Sequence, residues 1–213
     1  MRVGILGSGL MGAKLGTIFA RAGHEVVFSY ARSEGKLQEL ARAAGGGARH
    51  GSPREAVRDS DAILLAVHWL RFQDVLGQAG SLAGKVVVSC SLPMSEDNTE
   101  LAVGNSSSGA EELVRLIPDA RVVSAFNTVP SEVLFDVFDS RTAVHRPSLV
   151  YCGDDAGAKE VAACLIHDAG FDPVDAGPLR IARFTEPFAL LVAQLAYEGA
   201  RGPELAYSFR HFG

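Results

Sequence analysis

The chain alternates between short, wholly apolar runs and longer stretches with apolar residues three and four apart, the pattern of buried strands and amphipathic helices in turn. Val3, Ile5 and Leu6 open it as a strand, Leu15, Ile18 and Phe19 follow at helical spacing as far as Gly23, and Glu25 to Tyr30 is a second strand. Leu37, Leu40 and Ala44 predict a helix from Ser33 that Gly45-Gly46-Gly47 ends, with a short third strand near Ala48 to His50. Ser52-Pro53-Arg54-Glu55 has the cap, proline and glutamate of a helix start. Asp61 to Val67 is apolar almost throughout, as expected of a parallel strand covered on both faces.

Beyond it the pattern predicts a helix carrying Phe72, Val75 and Leu76, a strand over Lys85 to Ser89, a helix over Glu111 to Ile117 and a strand over Arg121 to Ala125. The polar stretch Ser95 to Ser108 is long for a connection; a mobile lid is one candidate role, and the sequence assigns it none. Strands over Leu149 to Gly153 and Phe171 to Asp175 flank a helix over Ala156 to Ala169. The last segment, Ile181 to Gly199, reads as a long helix in which Pro187 predicts a kink or break. Such alternation implies an α/β fold, a doubly wound parallel sheet with right-handed crossovers. The expected division is a dinucleotide-binding domain over 1–145 and a small α/β cap over 146–213.

The first strand ends in Gly7-Ser8-Gly9-Leu10-Met11-Gly12, a G-x-G-x-x-G run between strand and helix. In a Rossmann-type unit the first glycine permits the tight turn, the second lets a pyrophosphate approach backbone N–H groups, and the third allows close helix packing, with the helix dipole facing the anion. The alternative is a glycine-rich turn with a structural purpose only. The second strand ends in Tyr30-Ala31-Arg32-Ser33, with Lys36 a turn later and no carboxylate at the tip. A carboxylate there would receive a ribose 2′-hydroxyl; Arg32, Ser33 and Lys36 instead suit a 2′-phosphate, so NADP(H) is the expected cofactor. The competing reading is a solvated basic patch with Ser33 capping the next helix.

Ligands of such sheets gather at the carboxyl ends of the strands. Three ends carry distinctive residues: Gly7 to Gly12, His68-Trp69, and Phe126-Asn127-Thr128. Asn127 is a candidate for orienting a nicotinamide amide or an acceptor carbonyl, or else a turn residue after a strand. His68 is a candidate donor to the acceptor or to a ribose, or else a residue at a helix start. Trp69 either walls an acceptor pocket or packs in the core. Cys90, Cys152 and Cys164 lack metal or redox spacing and are expected to be buried thiols.

With 213 residues, 47% hydrophobic content and a net charge of −5, the chain has the composition of an ordinary globular protein, and no clustered basic stripe suggests a nucleic-acid partner. No apolar run approaches the roughly 20 residues that span a bilayer. The first core strand begins at the N-terminus, leaving no room for a signal peptide, so a cytoplasmic protein is expected. Phe184 to Tyr197 carries more apolar surface than one helix face needs, and Phe209 and Phe212 lie beyond it, which predicts a homodimer through this end.

Beyond the glycine run, Val123 to Pro130, Cys152-Gly153-Asp154-Asp155 and Asp175-Ala176-Gly177-Pro178-Leu179 resemble the NADP oxidoreductases that depend on the deazaflavin coenzyme F420, together with the related cytosolic domains of metalloreductases. The resemblance runs the length of the chain. It implies an N-terminal dinucleotide fold with a small C-terminal cap, a 2′-phosphate held by Arg32, Ser33 and Lys36, and hydride transfer between NADPH and a planar acceptor. The implied cofactor set is NADP(H), with coenzyme F420 or a flavin as co-substrate. In this reading the cofactor lies on Gly7, Ser8, Gly9, Leu10, Met11 and Gly12 and reaches Ala66, Val67 and Ala125. The acceptor, the one small-molecule partner expected, stacks near Trp69, Thr128, Val129 and Pro130, with Asn127 and His68 as catalytic candidates. Competing functions are reduction of a small C=N or C=O metabolite, whose enzymes usually add a helical domain of about 100 residues, a non-catalytic NADPH sensor, and a relic of the fold.

Overall fold

The computed structural model describes residues 1–212. Eight strands form one sheet: β1 (Arg2–Leu6), β2 (Glu25–Ser29), β3 (Arg49–His50), β4 (Ala62–Leu65), β5 (Val86–Ser89), β6 (Arg121–Ser124), β7 (Ser148–Gly153) and β8 (Asp172–Asp175). Their order is β3-β2-β1-β4-β5-β6-β7-β8, and every neighbouring pair is parallel except β6 with β7. The two strands assigned to the cap therefore prolong the sheet of the nucleotide-binding half. The 140–147 connection, where the expected boundary falls, leads directly into β7.

Alternate strand positions feed two cores. Val3, Ile5, Phe28, Leu64, Val88 and Val123 join one cluster; Leu6, Val27, Ile63, Leu65, Val87 and Val122 join the other. The first lies under α1 (Leu10–Arg21), α2 (Glu34–Ala44), α6 (Leu134–Asp139) and α7 (Ala156–Asp168); the second lies under α3 (Pro53–Arg58), α4 (Phe72–Ala79) and α5 (Gly109–Leu116). Apolar residues on both faces of each central strand explain why those segments read as unbroken hydrophobic runs. Gly16 on α1 completes the close approach to the sheet, since a Cβ there would lie 2.3 Å from the Phe28 ring.

The predicted helix starts appear with their side-chain bonds. Ser33 accepts from the Lys36 amide, Ser52 and Glu55 form a reciprocal capping box, and Asp155 accepts from the Ala158 amide. Two expectations need correction. The break expected at Pro187 does not occur: helix α8 (Ala182–Tyr197) continues through it, although the missing N–H leaves the Arg183 carbonyl without a helical partner, and Thr185, Glu186 and Ala189 stay packed. Cys90 and Cys152 are buried, but Cys164 is exposed on α7. Helix α6 had no counterpart in the sequence reading.

Candidate active site

The order of the strands reverses between β1 and β4, and a cleft of about 1450 Å³ opens at their carboxyl ends. Gly7, with φ 108°, makes the turn there, and a Cβ on it would sit 2.5 Å from the Ala66 carbonyl oxygen. Gly12 is buried, and its Cβ would fall 1.8 Å from the Gly7 carbonyl oxygen. Gly9 differs from both, because a Cβ there would meet nothing within 4 Å. The protein does not need glycine at this position for packing, so its small size serves the space in front of it.

Helix α1 faces that space without a cap. Gly9 is its N-cap residue, no side chain bonds to its first turn, and no acidic residue occupies it. The N–H groups of Gly7 and Ser8 are spent on the Ser29 and Tyr30 carbonyls at 3.2 and 3.1 Å, and the Ser8 hydroxyl donates to Ser29 at 2.9 Å. Anion-binding donors therefore begin at Gly9 and continue through Leu10 and Met11, and Ser8 shapes the turn without offering its amide. An open helix N-terminus over a cleared cradle fits a pyrophosphate.

Arg32, Ser33 and Lys36 all line the same cleft and are exposed. Ser33 is also the cap of α2, its Oγ lying 3.4 Å from the Lys36 amide nitrogen. Tyr30 takes a left-handed backbone conformation, φ 56°, rare for an aromatic residue. Its hydroxyl donates to Asp74 of α4 across the cleft. Burial and the Asp74 carboxylate raise the phenol above its usual range, and the same bond holds Asp74 below the usual carboxylate range. No sequence signal pointed to this pair, which joins residues 44 apart.

A second cavity of about 590 Å³ shares Gly9, Leu10, Ala66, Val67 and His68 with the first. Met11, Asn127, Thr128, Val129 and Pro130 line it, as do Ala189, Val192 and Tyr197 of α8. No Lys, Arg, Asp or Glu is among its lining residues. The three strand ends singled out in the sequence thus converge. Trp69 and Ala125 are not brought in: Trp69 packs beside the second core and donates its Nε1–H to the Met94 carbonyl at 2.7 Å, and Ala125 is wholly buried under the turn that follows it.

That turn is set by Phe126, which is fully buried with φ 64°. Its ring packs edge-on against Phe19 of α1, 6.1 Å between centroids, so the core holds a conformation that costs of order 1–3 kcal/mol. Asn127 then lies against the cavity with its Nδ2 donating to Ser124 Oγ at 3.1 Å. His68 is committed on both nitrogens. Nδ1 accepts from the Leu70 amide at 3.3 Å, so Nε2 carries the proton and donates to Asn98 Oδ1 at 3.3 Å. Asn98 belongs to the 95–108 connection, of which it alone lines the cavity, and the turn that carries it is built around Asp97. Burial pushes the Cys90 thiol up to about 12, so it is no nucleophile.

This combination of sheet, cradle and adjoining cavity defines a Rossmann-type dinucleotide-binding architecture. Residues 2–93 match the family described as NADP oxidoreductase, coenzyme F420-dependent. It is 30% identical over 192 residues to the metalloreductase STEAP3 of Rattus norvegicus, covering 89% of this chain and 36% of that protein. It is 27% identical over 148 residues to the F420-dependent NADP reductase of Methanocaldococcus jannaschii, covering 67% and 65% respectively. The chain thus spans about a third of the first relative and just under two thirds of the second. Two solved structures share the fold. A candidate F420-dependent NADP-reductase from Arthrobacter sp. FB24 superposes with a TM-score of 0.85 at 24% identity, covering 99% of this chain and 100% of that one. A reductive aminase from Aspergillus terreus, in complex with NADPH and ethyl levulinate, gives 0.67 at 19%, covering 91% and 60%.

Proposed function

We propose that the protein transfers hydride between NADP(H) and a planar acceptor of deazaflavin or flavin type. The observation that carries this reading is the joining of the two cavities: an anion-binding cleft runs into an uncharged cavity through the shared wall of Gly9, Leu10, Ala66, Val67 and His68. When bound, NADPH supplies the hydride, and the ring of the acceptor supplies the site that takes it.

The chain's own groups then have separable tasks. Gly9, Leu10 and Met11 present backbone N–H groups to the pyrophosphate, and Arg32, Ser33 and Lys36 receive the 2′-phosphate. Asn127, held by Ser124, offers its Oδ1 as an acceptor toward the cavity, which suits the amide hydrogens of a carboxamide. Val129, Pro130, Val192 and Met11 exclude water from the place of transfer. An acceptor without fixed charge on its reacting ring suits a wall without ionised side chains.

Two further readings belong with this one. The protein assembles as a homodimer through the exposed face of α8, where Phe184, Leu191 and Leu195 are 65%, 54% and 58% exposed. It works in the cytoplasm; among the described residues no helix is long and apolar enough to cross a membrane. The test of function is spectroscopic NADPH oxidation with coenzyme F420, FMN, FAD, ferric chelates and small imines as separate acceptors. Reduction of F420 or a flavin is the expected result, and reduction of imines alone would replace this reading with that of a C=N reductase.

A further inference from the structure

Residues 198–212, after α8, form neither helix nor strand, yet Tyr207 and Phe209 among them are hydrogen-bonded to β7. On the β6 side of β7 the amides of Ser148 and Val150 face a gap, because β6 pairs with β7 only through Val123 with Gly153 and Ser124 with Cys152 before the chain turns away at Phe126. Buried amides in such a gap need acceptors. Tyr207 supplies both: its carbonyl oxygen accepts from Ser148 at 2.7 Å, and its hydroxyl accepts from Val150 at 3.2 Å. The Phe209 amide donates to Ser148 Oγ at 2.9 Å, and the Tyr207 ring packs edge-on against Phe188 of α8, 5.1 Å between centroids.

The same Tyr207 hydroxyl lies 2.7 Å from Thr128 Oγ1. With the Val150 amide donating to it, the phenol has its own proton for Thr128. Thr128 is the residue after Asn127, fully buried at the cavity wall, and it follows the strained Phe126. The turn that carries the candidate catalytic amide is thus held on one side by Ser124 and on the other by a tail residue 79 positions away.

We infer that the C-terminal tail is a strap, and that Tyr207 is a positioning residue that fixes the Phe126-Asn127-Thr128 turn through the Thr128 hydroxyl. This rests on the hydride-transfer reading for its kinetic consequence, but not for its structural one. Tyr207 does not line the cavity and touches no reacting atom. Its effect on rate comes from holding Asn127 in register with the cavity, and small displacements of such groups reduce turnover steeply.

Tyr207→Phe keeps the ring against Phe188 and removes only the hydroxyl. With the native fold verified, turnover with the best acceptor should fall roughly tenfold or more, while the NADPH dissociation constant stays within about twofold because the nucleotide cradle is built elsewhere. Thr128→Val should give the same loss, and the double variant no further loss. Hydrogen exchange should quicken in Tyr207→Phe at residues 126–129 and 148–150 but not in β1 or α1. Unchanged exchange at 126–129 overturns the strap, and quickened exchange with unchanged turnover, or additive losses in the double variant, overturns the positioning role. If the native protein reduces no acceptor, the hydride-transfer reading fails, and the exchange measurement alone still decides whether the strap holds the turn.

Discussion

Asn127 Nδ2 donates to Ser124 Oγ at 3.1 Å, a bond that closes the turn after β6 on itself. Because the amide hydrogen side is tethered, the carbonyl side is the part left for a ligand, and among the described residues no protein donor reaches it. Asn127→Ala is therefore expected to lower turnover by roughly tenfold to a hundredfold and to change NADPH affinity little, since the pyrophosphate and adenosine are held at the other end of the cleft. Steady-state kinetics together with fluorescence titration of NADPH separate the two effects. A loss of affinity as large as the loss of turnover would count against the role.

Arg32, Ser33 and Lys36 lie in the cleft at the end of β2, exposed and without a carboxylate at the strand tip. NADPH should bind more tightly than NADH by roughly 1–3 kcal/mol, the worth of charge-assisted bonds to a phosphate. Arg32→Ala should remove most of that margin. Calorimetric titration with both nucleotides checks it, and equal dissociation constants in the native protein would reject the assignment.

What was legible in the sequence follows from how local each cause is. The strands of the central sheet were readable because both their faces are buried, and the starts of α2, α3 and α7 because each has its own Ser or Asp cap. Helix α6 has six residues and no capping side chain, so its boundaries left no mark. The cradle was readable because its glycines are consecutive with the strand and helix they join. The bonds from Tyr30 to Asp74, from Tyr207 to Thr128 and from Glu186 to α5 join residues 44, 79 and 77 apart, and only the fold brings them together. Trp69 read equally as cavity wall or core residue, since its apolar surface suits both; its Nε1–H is bonded to the carbonyl of Met94, a cavity-lining residue, and the ring packs beside the second core.

In the proposed homodimer the exposed face of α8 is the contact surface. Phe184, Leu191 and Leu195 form one stripe, opposite the buried Ala182, Ala189, Val192 and Ala196. Leu191→Glu and Leu195→Glu each place a charge in that stripe without touching the inward face. The native protein is expected to show twice the chain mass in light scattering at micromolar concentration, and the pair of substitutions should return it to the chain mass. A native monomer would end the dimer reading.

Glu186 makes stability depend on pH in an unusual direction for a carboxylate. It is 1% exposed on α8, and its oxygens accept from the Gly109 and Ala110 amides of α5 at 2.9 and 3.0 Å. Burial pushes its carboxyl up to about 7; the two amides oppose this, and the neighbouring Glu111 adds to it. Glu111 is itself neutralised by Arg183, which grips both its oxygens at 2.8 and 2.7 Å, and the buried Cys152 thiol on β7 is the other titratable group near Glu186. Between about pH 4.5 and 7 the unfolded chain loses the Glu186 proton first, so the folded state binds more protons and stability falls as pH rises. The contribution is complete below the unfolded value and gone above the folded one, a change on the order of 3 kcal/mol for a displacement of this size. Urea unfolding of the native protein and Glu186→Gln at intervals from pH 4.5 to 8 measures it. The native protein should lose stability relative to the variant across that window, and parallel profiles for the two would show that Glu186 is ionised in the folded protein throughout.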